Sequence, residues 1–214
     1  MATPQQLRED VAQVSQRAVD DLRRLAGGLE PQARRALLLD LLPGLIHDYA
    51  DAAGVVAVDW YDEHRAELGV RGSYTARLPA LRDPGVEALL GWAESQAQTA
   101  LTELDLVAGG TFRRVANGAR AAIISNVAKD PRGRGFQRYA RATSAGCAFC
   151  RMIAGRGAVY RSEDSATFAA HDHCQCVAVP AFDGAPVPVR PYEPSDRNIS
   201  DADRARVREW LRTQ

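Results

Sequence analysis

The sequence predicts a mainly α-helical protein: an N-terminal helical body followed by a small α+β module and an extended C-terminal arm. Three observations carry that expectation. Apolar residues recur at three- and four-residue spacing through most of residues 1–128. The helical pattern then gives way to a segment holding all four cysteines, Cys147, Cys150, Cys174 and Cys176. Beyond Pro180 the chain is broken by Pro186, Pro188, Pro191 and Pro194, which favour extended backbone over packed elements.

Thr3-Pro4-Gln5-Gln6 is a helix start, with a hydroxyl cap, proline in the first turn and glutamine three residues after the cap. Leu7, Val11, Val14, Ala18, Leu22 and Leu25 continue one face until Gly27-Gly28 ends the element. A second run starts near Pro31, and Pro43-Gly44 is read as its end, because proline is tolerated in a first turn and not in a helix interior. A third helix then carries Leu45, Tyr49, Ala52, Val56, Trp60 and Tyr61 as far as Leu68. Residues 69–84 form a connection in which Ser73–Leu78 has the composition of a short strand. Helical spacing resumes from Pro84 to Val107, Gly109-Gly110 breaks it, and a last helix covers residues 111–128 with Phe112, Val115, Ala119, Ile123 and Val127 on one face.

After Asp130-Pro131-Arg132-Gly133 the character changes. Arg134 to Thr143 is short and basic with two aromatics, and Arg151–Ala154 reads as one helical turn. Ala158–Arg161 and Cys176–Val179 alternate and carry β-branched residues, so they are expected to pair as two short strands. A serine-capped helix is expected from Ser200 to Leu211. The resulting division is a helical body at 1–128, a cysteine and histidine module at 129–180 and an arm at 181–214.

With 46% apolar and 25% charged residues the composition is that of a globular chain. It shows no secretory signal pattern and no apolar run approaching twenty residues, so a membrane partner is not expected. Net charge is zero but unevenly placed: residues 106–161 hold 11 basic and 1 acidic side chains, while 1–105 hold 10 and 17. Such a block suits phosphates or an acidic protein surface, and Arg132, Arg134, Arg138 and Arg141 are its candidate contacts with nucleic acid or an acidic partner. A solvated or internally paired face is the bland alternative.

Cys147-Ala-Phe-Cys150 and His171-Asp-His-Cys174-Gln-Cys176 offer thiolates and imidazoles from two short turns, the donor set of a closed tetrahedral zinc site. Cys147, Cys150, Cys174 and Cys176 are the first choice of ligands. The tight Cys-x-Cys spacing brings in His171, or else His173, as an alternate. Disulfides and unligated thiols are the competing readings, and zinc is preferred. A closed site of this kind stabilises a small module and leaves no position for catalytic water, so its role is structural. No phosphate-cradling glycine loop or serine elbow occurs, and the cysteines come in pairs, so an enzyme is not expected and no catalytic residue is assigned. A nuclease using His171 or His173 beside Asp172 is the enzymatic alternative.

The order Cys-x-x-Cys, a Gly-x-Val-Tyr-like strand, then His-x-x-Cys-x-Cys running into a strand that ends in proline resembles the C-terminal module of MuF-like minor head proteins of tailed bacteriophages. Tyr49-Ala-Asp-Ala-Ala-Gly-Val-Val-Ala-Val-Asp-Trp60-Tyr61-Asp62 is similar to the helical region of the short versions in phages of actinobacteria, and the likeness spans roughly residues 45–180. The resemblance implies a structural virion protein at the portal or capsid interior, assembled in the host cytoplasm and acting in head assembly or DNA delivery. Its implied partners are the portal protein, the major capsid protein and packaged DNA, with no small-molecule substrate. A zinc-stabilised DNA-binding or nuclease module is the alternative. One departure is Gln175, which stands where that family usually has arginine.

Overall fold

The computed structural model describes residues 2–97, 102–139, 160, 171–182, 205, 209 and 212. Among them are four α-helices, α1 (Pro4–Ala26), α2 (Pro31–Glu67), α3 (Val86–Gln96) and α4 (Glu103–Lys129), and two short strands, β1 (Gly135–Tyr139) and β2 (Val177–Ala181). The protein is mainly helical, as its periodicity requires.

The α1 boundaries follow from their caps. The Thr3 hydroxyl accepts a hydrogen bond from the Gln6 amide at 3.1 Å, and the Gly27 amide donates to the Arg23 carbonyl at 2.8 Å. Leu7, Val11, Ala18 and Leu22 are buried, but the stripe closes on Ala26 and leaves Leu25 43% exposed.

Pro43 does not end a helix. α2 runs through it for 37 residues, and the expected boundary there is corrected. The buried positions Leu38, Leu42, Ile46, Ala50, Ala53 and Ala57 pass across the proline without a change of face, so packing on both sides holds the helix together. The carbonyl that loses its intrahelical donor belongs to Leu39, an exposed residue where water can replace it. By length and hydropathy α2 also satisfies the requirement for a membrane span, and it packs against α1, α3 and α4.

Gly109-Gly110 does not break a helix either. The break lies earlier, between α3 and Thr102, where a reciprocal capping box starts α4: the Asp105 amide donates to the Thr102 hydroxyl at 3.2 Å and the Thr102 amide to the Asp105 carboxylate at 3.3 Å. From there α4 continues through both glycines to Lys129. Their role is close approach. A Cβ at Gly110 would lie 2.3 Å from Leu89 Cδ1 of α3, and one at Gly109 would lie 2.9 Å from His173 Nε2. Gly118 serves the α2–α4 seam in the same way, since a Cβ there would stand 2.1 Å from the Ala50 carbonyl oxygen.

The connection after α2 is extended but is not a strand of a sheet. It is held by α4 through Asn126, whose Oδ1 accepts from the Arg77 amide at 2.8 Å and whose Nδ2 donates to the Arg77 carbonyl at 2.9 Å. Tyr74 adds its hydroxyl to Asn126 Oδ1 at 2.8 Å, and the Ala76 amide donates to Asp62 at 2.9 Å.

The expected strand pairing is half right. β2 forms where the alternation placed it, but its partner is β1, antiparallel, in the register Gly135↔Ala181 to Tyr139↔Val177. Tyr160 bridges the other edge of β1 at Phe136. Phe136 directs both its amide and its carbonyl toward Tyr160, at 2.8 and 3.4 Å. Its opposite number Pro180 therefore sits in a non-hydrogen-bonded pair, where a missing N–H costs nothing.

α4 is the central element, contacting α1, α2, α3 and both strands. Two apolar clusters flank it. One gathers Val19, Leu22, Leu42, Leu89, Leu90 and Phe112; the other joins Leu7, Trp60, Tyr61, Ile123 and Val127 to Phe136 and Val177 of the strand pair and to Phe182 just beyond it. Arg151–Ala154, Ala158, Val159, Arg161 and the arm at 183–204 lie outside the described residues. Of the helix expected from Ser200 to Leu211, Ala205 and Glu209 are described and helical.

Candidate functional site

The His171–Cys176 segment enters β2 as an irregular turn. The Cys174 amide donates to the His171 carbonyl at 3.1 Å, and His173 adopts a left-handed φ of 57°. An irregular turn leaves carbonyls without helix or sheet partners, and here arginines supply the donors. Arg120 of α4, only 2% exposed, donates from Nε to the Cys176 carbonyl at 2.9 Å and from a terminal nitrogen to the Cys174 carbonyl at 2.6 Å. Its other terminal nitrogen reaches Asn117 Oδ1 at 2.7 Å. Arg8 of α1, also buried, donates to Gln175 Oε1 at 2.7 Å, and Arg113 pairs with Asp172 at 3.4 Å.

Of the expected metal ligands, Cys174 and Cys176 are buried, whereas His171 is exposed at the start of the turn. Cys147 and Cys150 lie outside the described residues, and no group of three or more metal-binding side chains gathers among the described ones. His173 packs instead on α4, its ring 5.9 Å from that of Phe112 and against Gly109. Cys174 and Cys176 are two buried cysteines two residues apart at the turn, with His171 three residues before Cys174, donor types that zinc accepts.

The basic block separates into two populations. Arg120 is a clamp, and Arg114 lies against the start of α3, donating to the Pro84 carbonyl at 2.5 Å and to Gly110 at 3.2 Å. Burial draws its guanidinium below the ordinary value. Arg132 and Arg134 are exposed where α4 gives way to β1. Arg138 is placed on β1 opposite Ala178, and Arg141 lies outside the described residues. Arg71, which spacing along the chain could not have joined to these, faces the same groove as Arg132 and Arg134, a space of about 550 Å³.

Beneath that groove lies a buried ion pair, Arg65 Nε to Asp130 Oδ2 at 2.8 Å. Asp130 also accepts from the Tyr61 hydroxyl at 3.1 Å and from the Arg132 amide at 2.8 Å. Burial, with the Asp130 charge beside it, pushes the Tyr61 hydroxyl far above the usual phenol range, so it stays a donor.

The described residues thus form a helical body with a strand pair held to its central helix and a cationic groove at one end. Residues 2–199 match the model of the family described as VG15 protein, so the chain belongs to that family. The membership is consistent with a phage virion-associated protein. No curated protein and no solved structure matches the chain.

Proposed function

We propose that this chain is a structural minor head protein of a tailed phage virion, seated at the portal or capsid interior and acting in head assembly or DNA delivery. The observation that carries the reading is the family match over residues 2–199. The MuF-like order of His171, Cys174 and Cys176 and its attachment to the central helix add support. The protein works by docking, without turnover, with portal or major capsid protein as partner.

In the same reading zinc is a structural staple held by Cys147, Cys150, Cys174 and Cys176, with His171 as the alternate ligand. The packing of His173 on Phe112 and Gly109 favours His171 over His173. The ion would tie the turn that Arg120 already fixes to the preceding cysteine pair, contributing folding energy. Gln175 takes its bond from Arg8, so the position at which the family usually has arginine is here the acceptor of an arginine from α1.

Co-expression with the portal protein of the same phage, followed by purification on a tagged portal and elemental analysis, tests both halves. Stoichiometric association with about one zinc per chain is expected. A chain that never co-purifies with portal or capsid protein overturns the docking role, and a metal-free chain with full stability overturns the staple.

A further inference from the structure

The groove between the end of α2 and the start of β1 carries an inference beyond the docking role. Leu68, Val70, Arg71, Arg132, Arg134 and Phe182 face it, and none of its lining residues is acidic. Three guanidinium groups therefore share one groove although Arg71 and Arg132 stand 61 residues apart in sequence, and no carboxylate pairs with any of them among the described residues.

Their backbones are held in advance. Gly69 and Gly72 take left-handed φ values of 60° and 84°, turning the loop that carries Arg71. Arg65 grips that loop, donating to the Val70 carbonyl at 3.3 Å, to Gly72 at 2.9 Å and to Arg71 at 3.4 Å. The same guanidinium binds Asp130, whose other oxygen accepts from the Arg132 amide. One buried ion pair thus fixes both walls. Arg134 is anchored separately, its amide donating to the Ala181 carbonyl at 2.9 Å beside β2.

We propose that this groove binds the phosphate backbone of DNA without regard to base sequence. The charged side chains facing it are all donors, which match phosphate oxygens, and contacts to phosphates carry no sequence information. A polyanion needs repeated charge at fixed spacing, which the three arginines provide. Arginine forks match phosphate oxygens in pairs. The proposal rests on the virion reading only in making packaged DNA the natural ligand; binding itself is measured without portal or capsid.

The experiment uses the full chain and a labelled duplex of mixed sequence, titrated from about 50 to about 200 mM salt. Three contacts predict a salt slope near −2.7 on logarithmic axes, shallower by about one in each of Arg71→Gln, Arg132→Gln and Arg134→Gln. Arg17→Gln, on an exposed position of α1, should leave the slope unchanged. Loss in Arg132→Gln and Arg134→Gln with none in Arg71→Gln would overturn the groove in favour of a linear basic stretch. Absence of binding at the lowest salt, or displacement of DNA by polyglutamate at equal charge, would also overturn it. None of these results bears on association with portal, so the two proposals fail separately.

Discussion

Two surfaces of α4 receive neighbours by opposite means. Toward α2 the contact is close and made by small residues: Gly118 lets α4 lie against the Ala50 carbonyl, and Gly54 receives Leu78 from the connecting segment. Toward the Cys174–Cys176 turn the contact is polar, made by Arg120 and, from α1, by Arg8. A helix satisfies its own backbone, so two helices need only small residues to approach. An irregular turn brings carbonyls that must find donors, and long cationic side chains reach them. Arginines that look like a charge patch in the sequence are in part the backbone partners of a segment lacking regular structure.

Removing the clamp should have the largest effect. Arg120→Leu leaves two buried carbonyls without their donor and is expected to lower unfolding free energy by about 3–5 kcal/mol, measured by urea titration. Helix content well below the transition should stay near wild type; a cost under about 1 kcal/mol would mean that the turn is held from elsewhere. On the α2-facing surface, Gly118→Ala should cost about 1–3 kcal/mol, because its Cβ meets backbone that cannot rotate away. Gly44→Ala, in the same fold but with nothing within 4 Å of the new Cβ, should gain about 0.5–1 kcal/mol. If both glycine changes move stability in the same direction, close approach is not what Gly118 provides.

The smallest effect expected is a pH dependence away from both surfaces. His64 stacks on Trp60 with ring centroids 4.5 Å apart, and burial holds its imidazole below the usual value. In the unfolded chain it takes up a proton near about pH 6.5, whereas in the fold it does so only at lower pH. Stability from this group is therefore complete above that value and declines as pH falls toward the folded value. Comparing urea midpoints of wild type and His64→Phe near pH 7.5 and pH 5.5 should show a flatter response in the variant; equal responses would place the titrating group elsewhere.

The helical body was legible where a cap and a buried stripe agreed, as at Thr3 and along α1. It was misread where a residue with a strong local habit answered to a distant neighbour. Pro43 and Gly109-Gly110 punctuate isolated helices, but here they lie inside long ones because buried faces continue on both sides. The start of α4 did carry a readable signal, the Thr102-x-x-Asp105 box, which the periodicity running from α3 obscured. β1 was hidden because its basic composition gives no alternation, and its pairing with β2 spans about forty residues of chain. At the groove, Arg132 and Arg134 were visible as charge. Arg71 was not, since only the Arg65–Asp130 pair brings its loop alongside.

Asn126 has an effect on how the chain can vary. A single side-chain amide on α4 performs for the 73–78 segment what a neighbouring strand would, offering one donor and one acceptor to the C=O and N–H of one residue, Arg77. Asn126 thus fixes the segment at Arg77, beside the Ala76 amide's bond to Asp62 and with the Tyr74 hydroxyl on the same amide oxygen. An insertion between Leu78 and Pro84 is therefore expected to leave that rung intact, whereas one between Tyr74 and Arg77 would break it.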